Sequence, residues 1–486
     1  MRRPAALLPL LLAGCMVGPD YHRPAPTPAA MPVAYKEFAG WTIAAPADAA
    51  PKGPWWQVFD DPLLDRLERQ VVIINQTIRQ AEAAYRQSVA LVAEAQAGLF
   101  PTLGVSPSVT RNSLTGGSFG ALGVQRLGKA YTQYSLQGSA GWDLDLWGRI
   151  RRQIEAQQAA AQVSAADLAN ATLSAQATLA VDYFDLRAED SLVDLLQQTI
   201  AAYRRALQIT TNEYNAGTAS RGDVVTADAQ LKTAEAQLVG VGVQRAIYEH
   251  AIAVLTGHAP ADLSIPPAPL PRAVPVMPPG LPATLLQRLP DIAAAERGMA
   301  QQNALIGVAV AAYYPDVTLS AALGFAGTPL SSLFTVANRV WSLGAAANEP
   351  IFEGGLRLAT VAAARASYDG AVAFYRQTVL TALQQVEDQL ASLRILAQQA
   401  AAEDAAVQSA SRAVEVTLNE YRAGTVVYTA VITEQTLLLA DQQTALAIQQ
   451  SRLVAAVGLI QALGGGWQAA DLPGKVPFNP VAVVLP

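Results

Sequence analysis

Few residues in this 486-residue chain are of a kind that does chemistry, and their spacing excludes most of it. Histidine occurs three times, as His22, His250 and His258, with no two at ligand spacing, so no metal site is expected. One cysteine, Cys15, excludes an internal disulfide framework and a cysteine-based zinc site. No Ser/His/Asp or Cys/His set can be assembled, and the carboxylates are spread along helices without a shared pocket. Neither an enzyme nor a cofactor is therefore expected. "GVQRLGK" (123–129) has the spacing of a phosphate loop, but Ala130 follows where that motif needs Ser or Thr, and the segment sits between two strand-like stretches. "RGD" (221–223) reads as a helix start, with Asp223 as its N-cap. What remains is a polar set gathered at two chain reversals: Glu213, Tyr214, Asp223 and Asp228 at one, Tyr421, Arg422, Tyr428 and Glu434 at the other. Tyrosines and charges in such places tie neighbouring helices by hydrogen bonds and ion pairs. That chemistry closes a constriction.

The elements that position these groups come twice. "NEYNAGTASRGDVVTADAQLKTAEAQL" (212–238) matches "NEYRAGTVVYTAVITEQTLLLADQQTAL" (419–446). "WGRIRR" (147–152) pairs with "EGGLRL" (353–358), and "LFPTL" (99–103) with "YYPDV" (313–317), in the same order. An internal repeat decides architecture first. Ten prolines between Pro260 and Pro290 separate the halves, which excludes a helix interior and reads as an extended linker. Each half opens with a helical segment: 61–98, broken near Asn75, and 284–312. Each ends in long helices with apolar residues at coiled-coil spacing, among them Leu179, Tyr183, Leu186, Val193, Leu196 and Ile200, and in the second half Leu383, Leu390, Leu393, Val407 and Val414. Helices of about 64 residues would form rods of roughly 95 Å. They should end at Tyr214–Gly217 and Tyr421–Gly424, with new helices starting near Asp223 and Tyr428.

Between the helices, "TQYSLQGSAGWDLDL" (132–146) and "DVTLSAALGF" (316–325) alternate apolar and small polar residues with period two. Strands of about ten residues with one apolar and one polar face suit a transmembrane barrel. Four strands cannot close one alone, so such a barrel demands oligomerisation. Loops at 112–130 and 327–337 would join the hairpins. A net charge of −6 argues against a nucleic-acid partner.

Residues 1–14 read as a signal peptide, with Arg2 and Arg3 before a short apolar run. No run of 18 apolar residues follows, so no transmembrane helix is expected, and a membrane could be crossed only as a closed barrel. "LAGC" (12–15) resembles the lipobox of bacterial lipoproteins, in which the cysteine becomes the lipidated N-terminus. Met16 after it is similar to the signal for the outer membrane. The chain then divides into a signal peptide (1–14), a lipidated segment (15–60), a first repeat (61–259; strand hairpin 101–146, long helices 148–256), a Pro-rich linker (260–282), a second repeat (283–465; hairpin 315–351, long helices 356–464) and a tail (466–486).

Over nearly its whole mature length the chain resembles the TolC-like outer membrane factors, in their NodT-type lipoprotein branch. The resemblance rests on "CMVGPDYHRP" (15–24), "WWQVFDDPLLDRL" (55–67), "WDLDLWGRIR" (142–151), "LPDIAAAE" (289–296), "EPIFEGG" (349–355) and "YRAGTVVYTAVITEQ" (421–435). It implies a homotrimer in which four strands per chain form one twelve-stranded barrel, continued by an α-helical coiled-coil tunnel in the periplasm. It implies the passive exit duct of a tripartite efflux pump, fed by an inner-membrane transporter of the RND type through a periplasmic adaptor, and anchored in the lipid bilayer by Cys15. Tyr421 stands at the family's gating tyrosine. Relatives often carry aspartates where this chain has Val426 and Thr433, which weakens the usual acidic rings, with Glu434 as a neighbouring carboxylate. An exit duct for protein secretion, or a lipid-anchored periplasmic tether, are the alternative expectations.

Overall fold

The computed structural model describes residues 16–27, 31–37, 54–113, 130–275 and 282–477. The signal peptide, Cys15 and the GVQRLGK segment lie outside them. The first half opens with α1 (Pro62–Ile74) and α2 (Gln76–Ala97). Asn75 divides them because its side chain accepts from the Thr77 and Ile78 amides and so caps α2. Strands β1 (Thr102–Asn112) and β2 (Tyr131–Leu144) follow, then α3 (Arg149–Asn215) and α4 (Arg221–Leu255). The second half repeats the order: α5 (Leu285–Arg288), α6 (Pro290–Ala311), β3 (Asp316–Gly327), β4 (Arg339–Asn348), α7 (Leu356–Arg422) and α8 (Tyr428–Ala462). The helical segment expected over 284–312 is interrupted at Leu289, since the proline that follows is tolerated only in a first helical turn.

The four strands form one antiparallel sheet in the order β1-β2-β3-β4. Its register aligns Leu103 with Ala140, Ala140 with Ala321, and Ala321 with Leu343. One face therefore carries Leu103, Val105, Val109, Leu136, Trp142, Leu319, Leu323, Phe325, Trp341 and Leu343. Thr102, Ser106, Ser108, Gln133, Ser135, Gln137, Thr318 and Ser342 lie on the other. An apolar outer face over a small polar inner one is the pattern of a membrane barrel wall. Within one chain β1 and β4 each have a neighbour on one side only. In a bilayer such edges must be paired.

α3 and α7 have 67 residues each, about 100 Å of helix. Both enter from a glycine with positive φ, Gly148 and Gly355. Asp145 fixes the first of these corners by accepting from the Ile150 and Arg151 amides. α4 and α8 are long and apolar enough to cross a membrane by length and composition alone. They instead run back beside α3 and α7.

Two cores hold the halves together. In the first, Leu64, Leu67 and Val71 of α1 pack on Leu179, Tyr183 and Leu186 of α3. Leu289, Ile292 and Met299 pack on Tyr375, Val379 and Val386 in the second. Glu68 is fully buried on α1, and neither of its carboxyl oxygens has a hydrogen-bond partner among the described residues. Burial pushes its pKa up to about 9. The folded state thus holds a proton that the unfolded chain releases above about pH 4.4. Stability from this group is complete below that pH and is lost as pH rises towards 9. Glu68→Gln should therefore raise the melting temperature of the purified protein at pH 8 by a few degrees, worth about 1–3 kcal/mol, with the gain shrinking towards pH 4.5. A gain independent of pH would rule out this explanation.

Residues 16–27 and 31–37 form an extended strap over α3, α6 and α7. Arg152, 1% exposed, donates to the Val17 and Gly18 carbonyls and to Asp20 at 2.8 Å. Asn303 binds the Pro19 carbonyl, Tyr21 donates to Glu296 at 2.6 Å, and Arg23 donates to the Tyr375 hydroxyl at 2.9 Å. Further along, Glu387 accepts from the Lys36 and Glu37 amides, and Glu37 pairs with Arg394.

Candidate functional site: the helical tip

At the end far from the sheet, both long helices stop in the same way. Asn212 O accepts from the Ala216 amide and Glu213 O from the Thr218 amide; Asn419 O and Glu420 O do the same for Ala423 and Thr425. Gly217 and Gly424 both stand at φ +75°, a conformation that glycine adopts without steric cost and that ends each helix.

The restarts differ. α4 begins with a capping box: the Ser220 hydroxyl accepts from the Asp223 amide, and Asp223 Oδ2 accepts from the Ser220 amide. Asp223 is therefore the third helical residue, and Ser220 is the N-cap, which corrects the sequence reading. α8 starts behind Val427 with no side-chain cap. Its first residue is instead fixed by packing: Tyr428 is 2% exposed and Val431 is fully buried, against Ala227, Leu207 and Leu418.

Tyr421 lies over this cluster. Its ring is 5.2 Å from that of Tyr428, at 58°. Its hydroxyl donates to Glu213 Oε2 at 2.6 Å. That bond joins α7 to α3, and so one helical hairpin to the other, across 208 residues. Burial and the Glu213 carboxylate both hold the Tyr421 hydroxyl far above its ordinary pKa, so it stays a donor. Burial likewise raises Tyr428. Gln230 and Gln435 add a weaker contact between α4 and α8 at 3.4 Å.

The structure thus brings together Tyr421, Tyr428 and Glu213. Tyr214 occupies the matching place in the first repeat but is 44% exposed, and among the described residues it does not meet Tyr421. Arg422 is exposed, Thr433 donates to its own helix at Thr429 O, and Glu434 is half-buried. Asp228 is exposed and Val426 half-buried. Sequence reasoning placed Glu213 at the tip but not as the partner of Tyr421; a contact so distant in sequence leaves no local signal. Among the described residues no cluster of His, Cys, Asp and Glu could hold a metal ion.

The outer membrane efflux protein family model matches residues 69–258 and 281–465, most of both repeats. The chain belongs to this family. Similar proteins include the toluene efflux pump outer membrane protein TtgF of Pseudomonas putida, 31% identical over 466 residues, covering 95% of this chain and 96% of that protein. Among solved structures, the outer-membrane channel OprN has a TM-score of 0.85 at 29% identity, covering 93% of this chain and all of that one. The open state of the Neisseria gonorrhoeae MtrE outer membrane channel has a TM-score of 0.80 at 25% identity, covering 93% and 98%. As an outer membrane efflux protein, the chain has the fold of the homotrimeric channels, each copy giving four strands to a barrel and long helices to a tunnel. It resides in the outer membrane and is the exit duct of an efflux pump. This excludes the tether reading.

Proposed function

We propose that the duct is passive, closed at rest by its helical tips, and opened when a periplasmic adaptor docks and an RND-type inner-membrane transporter delivers small toxic compounds. The Tyr421–Glu213 bond carries this reading, because it ties together two hairpins that must separate for a tunnel of this kind to widen. MtrE, of the same fold, is described in an open state, which supports a tip with two arrangements. Differential contact of the adaptor with them supplies the bias, and energy comes from the transporter. Toluene export by the TtgF pump supports small apolar cargo.

Cys15 is the proposed lipid anchor. Met16, the first described residue, packs against Gly148 at the head of α3, next to the sheet, where acyl chains on the preceding residue would enter the bilayer.

The test is dye accumulation in an efflux-deficient bacterium expressing an RND transporter and its adaptor with or without this chain. Accumulation should fall only when all three are present. A fall without the transporter, or none with all three, would count against the pump reading. Cys15→Ser should abolish incorporation of labelled palmitate into the protein.

A further inference from the structure

Two arginines stand on the lipid-facing side of the sheet. β1 follows α2 and so runs outward from the periplasmic helices, and Arg111 is its last residue but one. Side chains alternate along a strand, so Arg111 shares the outer face with Leu103, Val105 and Val109. β4 returns from the far end, and its first residue, Arg339, shares that face with Trp341 and Leu343. An arginine on the lipid face costs little at the rim of a barrel and several times more at mid-bilayer. Both side chains are exposed, and among the described residues neither has a hydrogen-bond or ion-pair partner. No counter-charge is available from the surrounding sequence either. Neither hairpin, 103–142 or 317–348, contains Asp or Glu, although the chain as a whole has a net charge of −6.

The segment between β3 and β4 folds over the same face. The Asn338 side chain donates to the Ser332 carbonyl at 2.8 Å, the Thr335 hydroxyl donates to that carbonyl too, and Leu333 is buried. These bonds hold Phe334 on Phe325, with ring centroids 5.5 Å apart at 70°. Phe325 is the cross-strand partner of Arg339. Phe334 nevertheless stays 66% exposed. A guanidinium next to an exposed aromatic pair, at the level where bilayer meets water, offers one group to a phosphate and the other to acyl chains.

β1 and β4 are the edges of the sheet, and the closed barrel of a trimer joins β4 of one copy to β1 of the next. Arg339 of one copy and Arg111 of the next therefore flank one seam at the outer rim. We infer that each seam binds the phosphate group of an anionic glycolipid in the outer leaflet. Guanidinium groups pair with phosphate oxygens bidentately, and two of them from different copies on one phosphate tie those copies together. The apolar surface of Phe325 and Phe334 selects a lipid phosphate over a free anion, which has nothing to place there. This rests on the barrel's place in the outer membrane, and not on the gate or the pump.

The test is the temperature at which the purified, detergent-solubilised trimer is lost on gels, for wild type beside the Arg111→Gln/Arg339→Gln double variant. Three probes are added in turn: bis-phosphorylated lipid A, the same lipid stripped of its phosphates, and inorganic phosphate. Bis-phosphorylated lipid A should raise the wild-type temperature by about 5 °C and leave the double variant unmoved. Arg66→Gln, at an exposed position of α1 in the periplasmic part, should respond like wild type. If the double variant does not assemble, the single variants decide, each with a shift about half that of wild type. No shift in wild type, or equal shifts in wild type and the Arg111 and Arg339 variants, would overturn the site. An equal shift with the stripped lipid would mean that apolar contact suffices, and one with inorganic phosphate that lipid is not the ligand. Either result overturns the assignment.

Discussion

Tyr421→Phe is expected to raise the resting conductance of the purified channel in planar bilayers. The substitution keeps the ring on Tyr428 and removes only the hydroxyl that Glu213 accepts. A hydrogen bond to a charged acceptor contributes roughly 1.5–3 kcal/mol, less where it is partly exposed, so each protomer's closed tip should lose about tenfold in population. Glu213→Ala should do nearly the same, and the double variant little more than either single one, because both changes delete one bond. Tyr214→Phe, at the matching but exposed position, should leave conductance as it was. Additive effects of the two substitutions would show that each side chain acts through some other contact.

Gly18→Val is expected to be the most destabilising single change outside the cores. Gly18 stands at φ +92°, and a Cβ there would come within 2.5 Å of the Gly307 Cα, which is backbone and cannot move aside. Lifting the strap at this point removes Arg152 from the carbonyls of Val17 and Gly18 and from Asp20. A nearly inaccessible guanidinium would be left with Glu155 alone. Removing one partner of a buried charge costs about 3 kcal/mol or more. The trimer band on unheated denaturing gels should therefore vanish at a temperature several degrees lower. Arg376→Ala removes one exposed bond of 3.4 Å to the same strap and should leave the band unmoved. Equal thermal behaviour of Gly18→Val and wild type would mean that the strap holds nothing.

Most of the architecture was legible because it is written in periodic patterns. Period-two alternation marked β2 and β3, and the glycines at 217 and 424 marked the tips, since each needs a conformation that other residues resist. Asn75 was legible as a helix break because its side chain competes for backbone amides. Asp223 was misplaced by three residues, because a carboxylate at the N-cap and one in the first turn have the same electrostatic rationale, and only geometry separates them. The strap was invisible: extended chain held by Arg152, Asn303 and Tyr375 has no period, and its partners lie hundreds of residues away. The pairing of Tyr421 with Glu213 in place of Tyr214 was hidden by the duplication itself. The repeat gives both halves the same Glu-Tyr step, and only the packing of α7 against α3 breaks that equivalence.

If transport requires the two hairpins of each protomer to part, bridging them must stop it. Glu213→Cys and Tyr421→Cys together place one thiol on each side of the contact, and a short bis-maleimide can span them. Dye efflux should be measured in cells carrying the adaptor and transporter, before and after the reagent, beside both single variants. The bridged double variant should lose export while the singles keep theirs. Export that continues at full rate through a bridged tip would contradict a gate at this contact.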